Sequence, residues 1–219
     1  MAIRVFVTAT NTGVGKTHTV LKLMEAAREA GLRPAAFKPI ETGVERLPED
    51  GSALLDAARR FNPDAADLTL EDIVPYRFRL PAAPFVARGD TPIEVDLLQT
   101  RLRRIEARCD ILFIEGAGGP MVPIDEKLFM IDLPRIFSAE CLLVSTGGLG
   151  SINDTLLCLE AMRSRRITPS LLINLTPESK GAFFRLTRPY YDRVGIRYAT
   201  LPDDAEKVIR ALVSGAPAR

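Results

Sequence analysis

The chain is poor in several residues on which protein chemistry often depends. It has one histidine, His18, and no tryptophan. One histidine excludes a zinc site built on paired imidazoles. Its three cysteines, Cys109, Cys141 and Cys158, are widely spaced with no C-x-x-C, which excludes a zinc knuckle and a disulfide framework. Each lies in an apolar stretch, so buried, reduced thiols and a cytoplasmic location are expected. Charge of one sign is also lacking: 29 Lys and Arg stand against 28 Asp and Glu. That balance argues against a surface that wraps nucleic acid or lies on an anionic membrane. No run approaches the ~20 apolar residues of a membrane span. Met1-Ala2-Ile3-Arg4 leads into an apolar run too short for a signal peptide. Repeats and low-complexity tracts are absent, and the tail Ser214 to Arg219 is expected to fray. Chemistry must therefore run on lysines, carboxylates, hydroxyls and backbone amides.

What is present is an alternation of short apolar runs with helical patterns. Strands are expected at 3–8, 34–40, 110–115, 140–145 and 170–175. Val20, Leu21, Leu23, Met24 and Ala27 have helical spacing, with Gly31 placed to end the helix. Val95, Leu98, Leu102 and Ile105 form a second such set, and Ile152, Leu156, Leu159 and Met162 a third. Apolar strands separated by amphipathic helices predict an α/β fold. Its sheet is mostly parallel, with helices on both faces. The irregular, proline-containing segment 41–94 is expected to hold a short helix near 52–61 and a strand near 74–78. It elaborates one domain spanning 1–219.

In such folds function gathers at the carboxyl ends of strands. Four segments follow predicted strands and should converge on one rim: Thr8 to Thr17, Lys38-Pro39, Glu115 to Gly119, and Gly147 to Ser151. In the first, Asn11, Thr12, Gly13, Val14 and Gly15 precede Lys16, Thr17 and His18. Backbone N–H groups of such a loop can surround phosphate oxygens, with Lys16 reaching the outer phosphates and Thr17 holding Mg²⁺. Thr10 takes the place of the usual first glycine. Lys38, fixed in extended backbone by Pro39, is a second cation for an anionic intermediate, or else a solvated strand end. Glu115 can bind Mg²⁺ directly or through water. At Gly150-Ser151-Ile152-Asn153, Ser151 is a candidate helix cap, and the free N–H groups are a candidate carboxylate site. His18 is read as structural or surface. The arginines at 101, 103, 104, 108, 163, 165 and 166 are read as solvated helix faces and ends.

These segments together resemble the dethiobiotin synthetase family along most of the chain. The phosphate loop is similar to the family's T-x-T-x-V-G-K-T. Phe37-Lys38-Pro39-Ile40-Glu41-Thr42-Gly43 resembles K-P-[VI]-x-[ST]-G. Ile114 to Gly119 with Pro123 resembles V-E-G-A-G-G-x-x-x-P, and Leu149 to Asn153 resembles L-G-x-I-N. Asn174 falls where the family has a base-contacting asparagine.

The resemblance implies an α/β fold of the P-loop NTPase type and a homodimer that uses ATP, Mg²⁺, CO₂ or bicarbonate, and 7,8-diaminopelargonic acid. A carbamate forms on one amine, ATP phosphorylates it, and the second amine closes a ureido ring. It further implies that Lys16 and Lys38 are catalytic and that residues 11–18, Glu115 and Asn174 bind nucleotide. Thr12, Lys38, Thr42 and Gly118 would bind substrate, and Gly150 to Asn153 would bind its carboxylate from the partner subunit. One departure concerns the metal. The family's N-x-D-A stretch aligns with Ser52-Ala53, while Asp50 stands two residues earlier and Asp56 one turn later. Either Asp50 joins Thr17 and Glu115 at the metal, or water fills the place.

Two alternatives share the superfamily. A ParA/MinD-like switch ATPase carries a second lysine where Asn11 stands. A cobyrinate amide synthase-like ligase carries a glutaminase domain, and no nucleophilic cysteine motif is present here.

Overall fold

The computed structural model describes residues 2–215. Its strands are β1 (Ile3–Ala9), β2 (Pro34–Phe37), β3 (Ile40–Thr42), β4 (Tyr76–Phe78), β5 (Ile111–Glu115), β6 (Glu140–Thr146), β7 (Ser170–Asn174) and β8 (Ala199–Leu201). Its helices are α1 (Lys16–Glu29), α2 (Glu49–Phe61), α3 (Leu70–Ile73), α4 (Pro84–Ala87), α5 (Val95–Glu106), α6 (Leu133–Ile136), α7 (Ser151–Ser164), α8 (Pro177–Ala182), α9 (Arg188–Val194) and α10 (Ala205–Ser214). A π-helical turn, Phe183–Thr187, joins α8 to α9.

Six strands form an all-parallel sheet in the order β2-β5-β1-β6-β7-β8. In β1 the successive residues Val5, Phe6 and Val7 are all fully buried. A strand covered on both faces has no polar alternation, which is why it appears in the sequence as a continuous apolar run. β5 is likewise buried along its whole length. Because β1 is flanked by β5 on one side and β6 on the other, the chain order reverses direction around it. The loop leaving β1 therefore opens into the crevice where such sheets bind ligands.

α1 ends as its sequence predicts. Gly31 takes φ +81°, its N–H bonds Arg28 O at 3.0 Å, and Leu32 N–H bonds Ala27 O at 3.0 Å. This double closure satisfies carbonyls that the helix end would otherwise leave free.

The strand expected over 34–40 is in fact two. β2 stops at Phe37 because Pro39 has no N–H to continue the ladder, and Lys38 N–H bonds Ile73 O instead. The chain then forms β3, which pairs in parallel with β4 outside the main sheet. The tail expected to fray is partly ordered: Ser214 closes α10 and Gly215 caps it at φ +65°. Residues 216–219 lie outside the described residues. Cys109 and Cys141 are buried and Cys158 only half-buried. Burial pushes the first two thiols up to about 12 and the third to about 11.

The arginine-rich face of α5 is not simply solvated. Arg101 Nη1 and Arg104 Nε reach Asp72 Oδ1 at 3.1 and 2.9 Å, and the Asp72 carboxylate is 2% exposed. Its other oxygen accepts from Thr69 N–H and Oγ1, both at 3.0 Å, closing a capping box at α3. Burial alone would raise the Asp72 pKa, but the Thr69 and Arg104 hydrogen bonds outweigh it and hold the carboxyl below its usual range. Asp72→Ala should therefore cost about 2–3 kcal/mol in urea unfolding at neutral pH. Because the folded pKa is depressed, this contribution is present above the unfolded carboxylate pKa and lost as pH falls through the folded value. The difference between the two proteins should accordingly shrink in acid.

Candidate active site

A cavity of about 580 Å³ opens at the carboxyl ends of β1, β2 and β5. The loop after β1 lines one side with Thr12, Gly13, Gly15, Lys16 and Thr17. Gly15 holds φ +91° directly before α1, so the chain turns and presents free helix N–H groups to the cavity. A Cβ at Gly15 would stand 2.3 Å from Asn174 Nδ2. Asn174, at the end of β7, reaches under the loop and donates to Val14 O at 2.9 Å, leaving its buried Oδ1 without a partner. Asn11 is exposed and its Oδ1 accepts from Thr12 N–H at 2.8 Å.

The cavity floor is a buried charge cluster. Glu115, ending β5, is completely buried. Its Oε1 accepts from Thr17 Oγ1 at 2.9 Å and from Lys38 Nζ at 2.5 Å, while its buried Oε2 has no partner. Lys38 is 4% exposed and also meets Asp50 Oδ2 at 2.5 Å. Lys38 is thus a nearly sealed ammonium, not a solvated strand end. Burial alone would lower its pKa, but Glu115 and Asp50 together outweigh burial and raise it. Lys16 has weaker compensation. Burial pushes its pKa down, Glu115 only partly reverses this, and Lys38 adds repulsion. At Asp50, burial is overcome by Lys38, and the carboxyl falls below its usual range.

The departure at the start of α2 takes a definite form. Asp50 faces the cluster, whereas Ser52 Oγ turns back to Pro48 O at 2.6 Å. Asp56 is exposed and lines a separate groove with His18. Thr17, Glu115 and Asp50 therefore supply the hard oxygen donors of the floor. Among the described residues no three His, Cys, Asp or Glu side chains group into a metal site. A cation here would complete its shell with ligand oxygens and water, the habit of Mg²⁺.

The rest of the lining consists of Ile40, Thr42, Pro81 to Pro84, Ala117, Gly118 and Val122, with Gly118 beside Thr12 of the loop. It offers a mainly apolar surface to a ligand whose charged end lies on the floor. Gly118 has φ +69°, and a Cβ there would come 2.8 Å from Val122 Cγ2. Glu41, to which the sequence pattern assigns no role, also lines the cavity. Its signal was a carboxylate directly following Lys38-Pro39-Ile40. Burial raises its pKa against the pull of the Gly51 N–H.

The fourth segment does not join this cavity. None of Gly150, Ser151, Ile152 or Asn153 lines it. Nor does Ser151 cap α7. Gly150, at φ +89°, is the cap residue, and the Ser151 hydroxyl is buried 3.3 Å from Thr187 Oγ1. The cause is the glycine's left-handed turn, which carries Ser151 into the first helical position, where its side chain points inward.

The family model described as an AAA domain matches residues 3–194. The chain is 44% identical over 207 residues to a protein of Sulfurovum sp. (strain NBC37-1) named ATP-dependent dethiobiotin synthetase BioD, covering 94% of this chain and 98% of that one. It is 39% identical over 211 residues to a protein of the same name from Wolinella succinogenes, covering 95% and 97%. Among solved structures, a chain of the MinC:MinD cell division protein complex of Aquifex aeolicus is similar with a TM-score of 0.55 at 16% identity, covering 99% of this chain and 87% of that one. A ParA family ATPase from Chlorobium tepidum TLS gives 0.52 at 16% identity, covering 99% and 90%. At such identities the structural likeness shows a shared P-loop fold alone.

Two outcomes follow from this geometry. Gly15→Ala drives its Cβ into Asn174 and strains a left-handed backbone, so calorimetry should show ATP binding reduced at least about tenfold. Because the Lys16 pKa is lowered, its positive charge is lost at a lower pH than that of an ordinary lysine. ATP affinity should accordingly weaken from below the usual lysine range as pH rises, and Lys16→Ala should bind weakly and show no such limb.

Proposed function

The chain belongs to the dethiobiotin synthetase family, and on that premise we propose ATP-dependent formation of dethiobiotin from 7,8-diaminopelargonic acid and CO₂. The reaction is a cyclo-ligation that forms carbon–nitrogen bonds. One amine of the diamine is carboxylated to a carbamate, with loss of a proton. The carbamate oxygen takes the γ-phosphoryl group of ATP, releasing ADP. The second amine then attacks the carbamate carbon, phosphate leaves, and the ureido ring closes.

The observation that carries this reading is the sealed Lys38, held 2.5 Å from Glu115 beside the phosphate loop. A nucleotide-binding loop alone needs one lysine. A second cation, fixed on the adjacent rim, suits a reaction that brings an anionic carbamate against a triphosphate. Lys16 and the loop N–H groups hold the phosphates, and Lys38 neutralises the carbamate as it is phosphorylated. Such transfer depends on positioning and electrostatics, so one histidine is no handicap.

Mg²⁺ fits the donors present. Glu115 Oε2 is buried without a partner, and the Thr17 hydroxyl and the Asp50 carboxylate stand on the same floor. When bound, the ion neutralises phosphate charge. Thr17 and Glu115 would hold it, with Asp50 completing the set. Thr12, Thr42 and Gly118 would contact the diamine or carbamate end, and the wall at Pro81 to Pro84 its alkyl chain. Asn174 would meet the base.

The substrate carboxylate remains to be bound. We assign it to Gly150 to Asn153 of a second copy in a homodimer. What supports this is that the helix start does not line the chain's own cavity, together with Leu149 and Leu157, which are 94% and 63% exposed. We read the chain as one domain acting in the cytoplasm. Among the described residues no helix is long and apolar enough to cross a membrane.

Incubation with labelled bicarbonate, ATP, Mg²⁺ and diaminopelargonic acid should place label in a ureido product. Lys16→Ala and Lys38→Ala should each reduce that product at least about a hundredfold while the fold is retained. ATP hydrolysis without incorporated label would sink the synthetase reading and favour a nucleotide switch. A fully active Lys38→Ala would show the second cation to be misplaced.

A further inference from the structure

Glu41 is the buried cavity carboxylate that the mechanism leaves unused. It is 7% exposed and sits on β3, where it pairs in register with Arg77 of β4. Its side chain faces the first turn of α2. Oε1 accepts from Asp50 N–H at 3.1 Å and Oε2 from Gly51 N–H at 2.9 Å. These N–H groups belong to the turn that a helix leaves without internal partners. The residue at the cap position is Pro48, which has no side-chain oxygen to offer, and the Ser52 hydroxyl is turned to Pro48 O. Glu41 thus performs, from a different strand, the task that a cap residue ordinarily performs.

The turn is also closely packed where a Gly51 side chain would lie. A Cβ at Gly51 would stand 2.1 Å from Val74 Cγ2 and 3.2 Å from Glu41 Oε2. The backbone at Asp50 and Gly51 is therefore held by the Glu41 carboxylate and packed closely against Val74. Asp50 itself is poorly enclosed, with 43% of its side chain exposed, yet it reaches Lys38 at 2.5 Å. A half-exposed carboxylate on a helix end keeps one direction only where its backbone is fixed.

We propose that Glu41 is a positioning residue for the cation site: it clamps the start of α2 so that Asp50, displaced by two residues from the family's metal-side aspartate, enters the floor beside Lys38 and Glu115. This rests on the reading of Asp50 given under Proposed function. Glu41 does not touch the reacting atoms in this scheme. It acts through the Asp50 backbone.

The test is calorimetric binding of ADP across a Mg²⁺ titration, with no turnover involved. It uses the full chain, Glu41→Ala, Asp50→Ala and the double variant. Glu41→Ala should raise the Mg²⁺ concentration needed for half-maximal enhancement of ADP binding by about tenfold, in the range for residues that orient a metal ligand. Asp50→Ala should raise it at least as much, and the double variant no further than Asp50→Ala, since both act through one carboxylate. The enhancement in each variant is referred to its own ADP binding without metal. Glu41→Gln keeps one acceptor oxygen, should fall between wild type and Glu41→Ala, and carries the test if the alanine variant does not fold. Additive losses, or a Glu41 effect confined to thermal stability with an unchanged Mg²⁺ requirement, would overturn the proposal while leaving Asp50 in place. A wild-type Mg²⁺ requirement in Asp50→Ala would overturn the Asp50 reading and the proposal together.

Discussion

The ammonium of Lys38 is almost sealed from water, and a buried charge is tolerable only where opposite charge meets it. It meets two carboxylates at once, Glu115 and Asp50. Left alone, Lys38 or Glu115 would suffer a desolvation cost of several kcal/mol. The cluster therefore fixes more than its own side chains. Lys38 stands where β2 stops, Glu115 where β5 stops, and Asp50 where α2 starts. The Thr17 hydroxyl on Glu115 ties in the first turn of α1. Four elements are located by a single charge balance, and the cavity is the space they leave between them.

The sheet makes that balance possible. Parallel strands deliver their carboxyl ends to one edge, and the central place of β1 sets the phosphate loop between the two directions of winding. The interruption at Lys38-Pro39 has the same importance. Were β2 to continue, Lys38 would alternate with its neighbours across the sheet. Because Pro39 ends the ladder, Lys38 can turn inward and the chain can start β3, which delivers Glu41 and Thr42 to the cavity wall. A single proline is what separates a structural strand from a site-forming one.

The parts of the fold that were legible are those governed by local rules. β1, β5, β6 and β7 are apolar runs, α1 ends at a glycine, and the loop before Lys16 has spacing that is chemically specific. What was not legible depends on partners distant in sequence. Asp72 collects Arg101 and Arg104, and no property of either segment alone announces the pairing. The orientation of Asp50 and the reversal of Ser52 depend on Pro48, Glu41 and Val74. The inward turn of Ser151 depends on Thr187. At the C-terminal end, β8 has three residues, too few for a period to show. The Val208, Ile209 and Leu212 spacing of α10, by contrast, is present in the sequence.

The contact between Thr17 and Glu115 spans 98 positions of chain. β1 is paired on both sides by strands that lie more than a hundred residues further on. During synthesis the phosphate loop therefore leaves the ribosome with neither its supporting strands nor its carboxylate. Until β5 emerges, Lys38 has no Glu115 to justify its burial, and β1 exposes two unpaired edges. The loop is made first, but its site is assembled late. The vulnerable interval in the life of this molecule is the translation of the segment between them, when a long apolar strand waits for its neighbours.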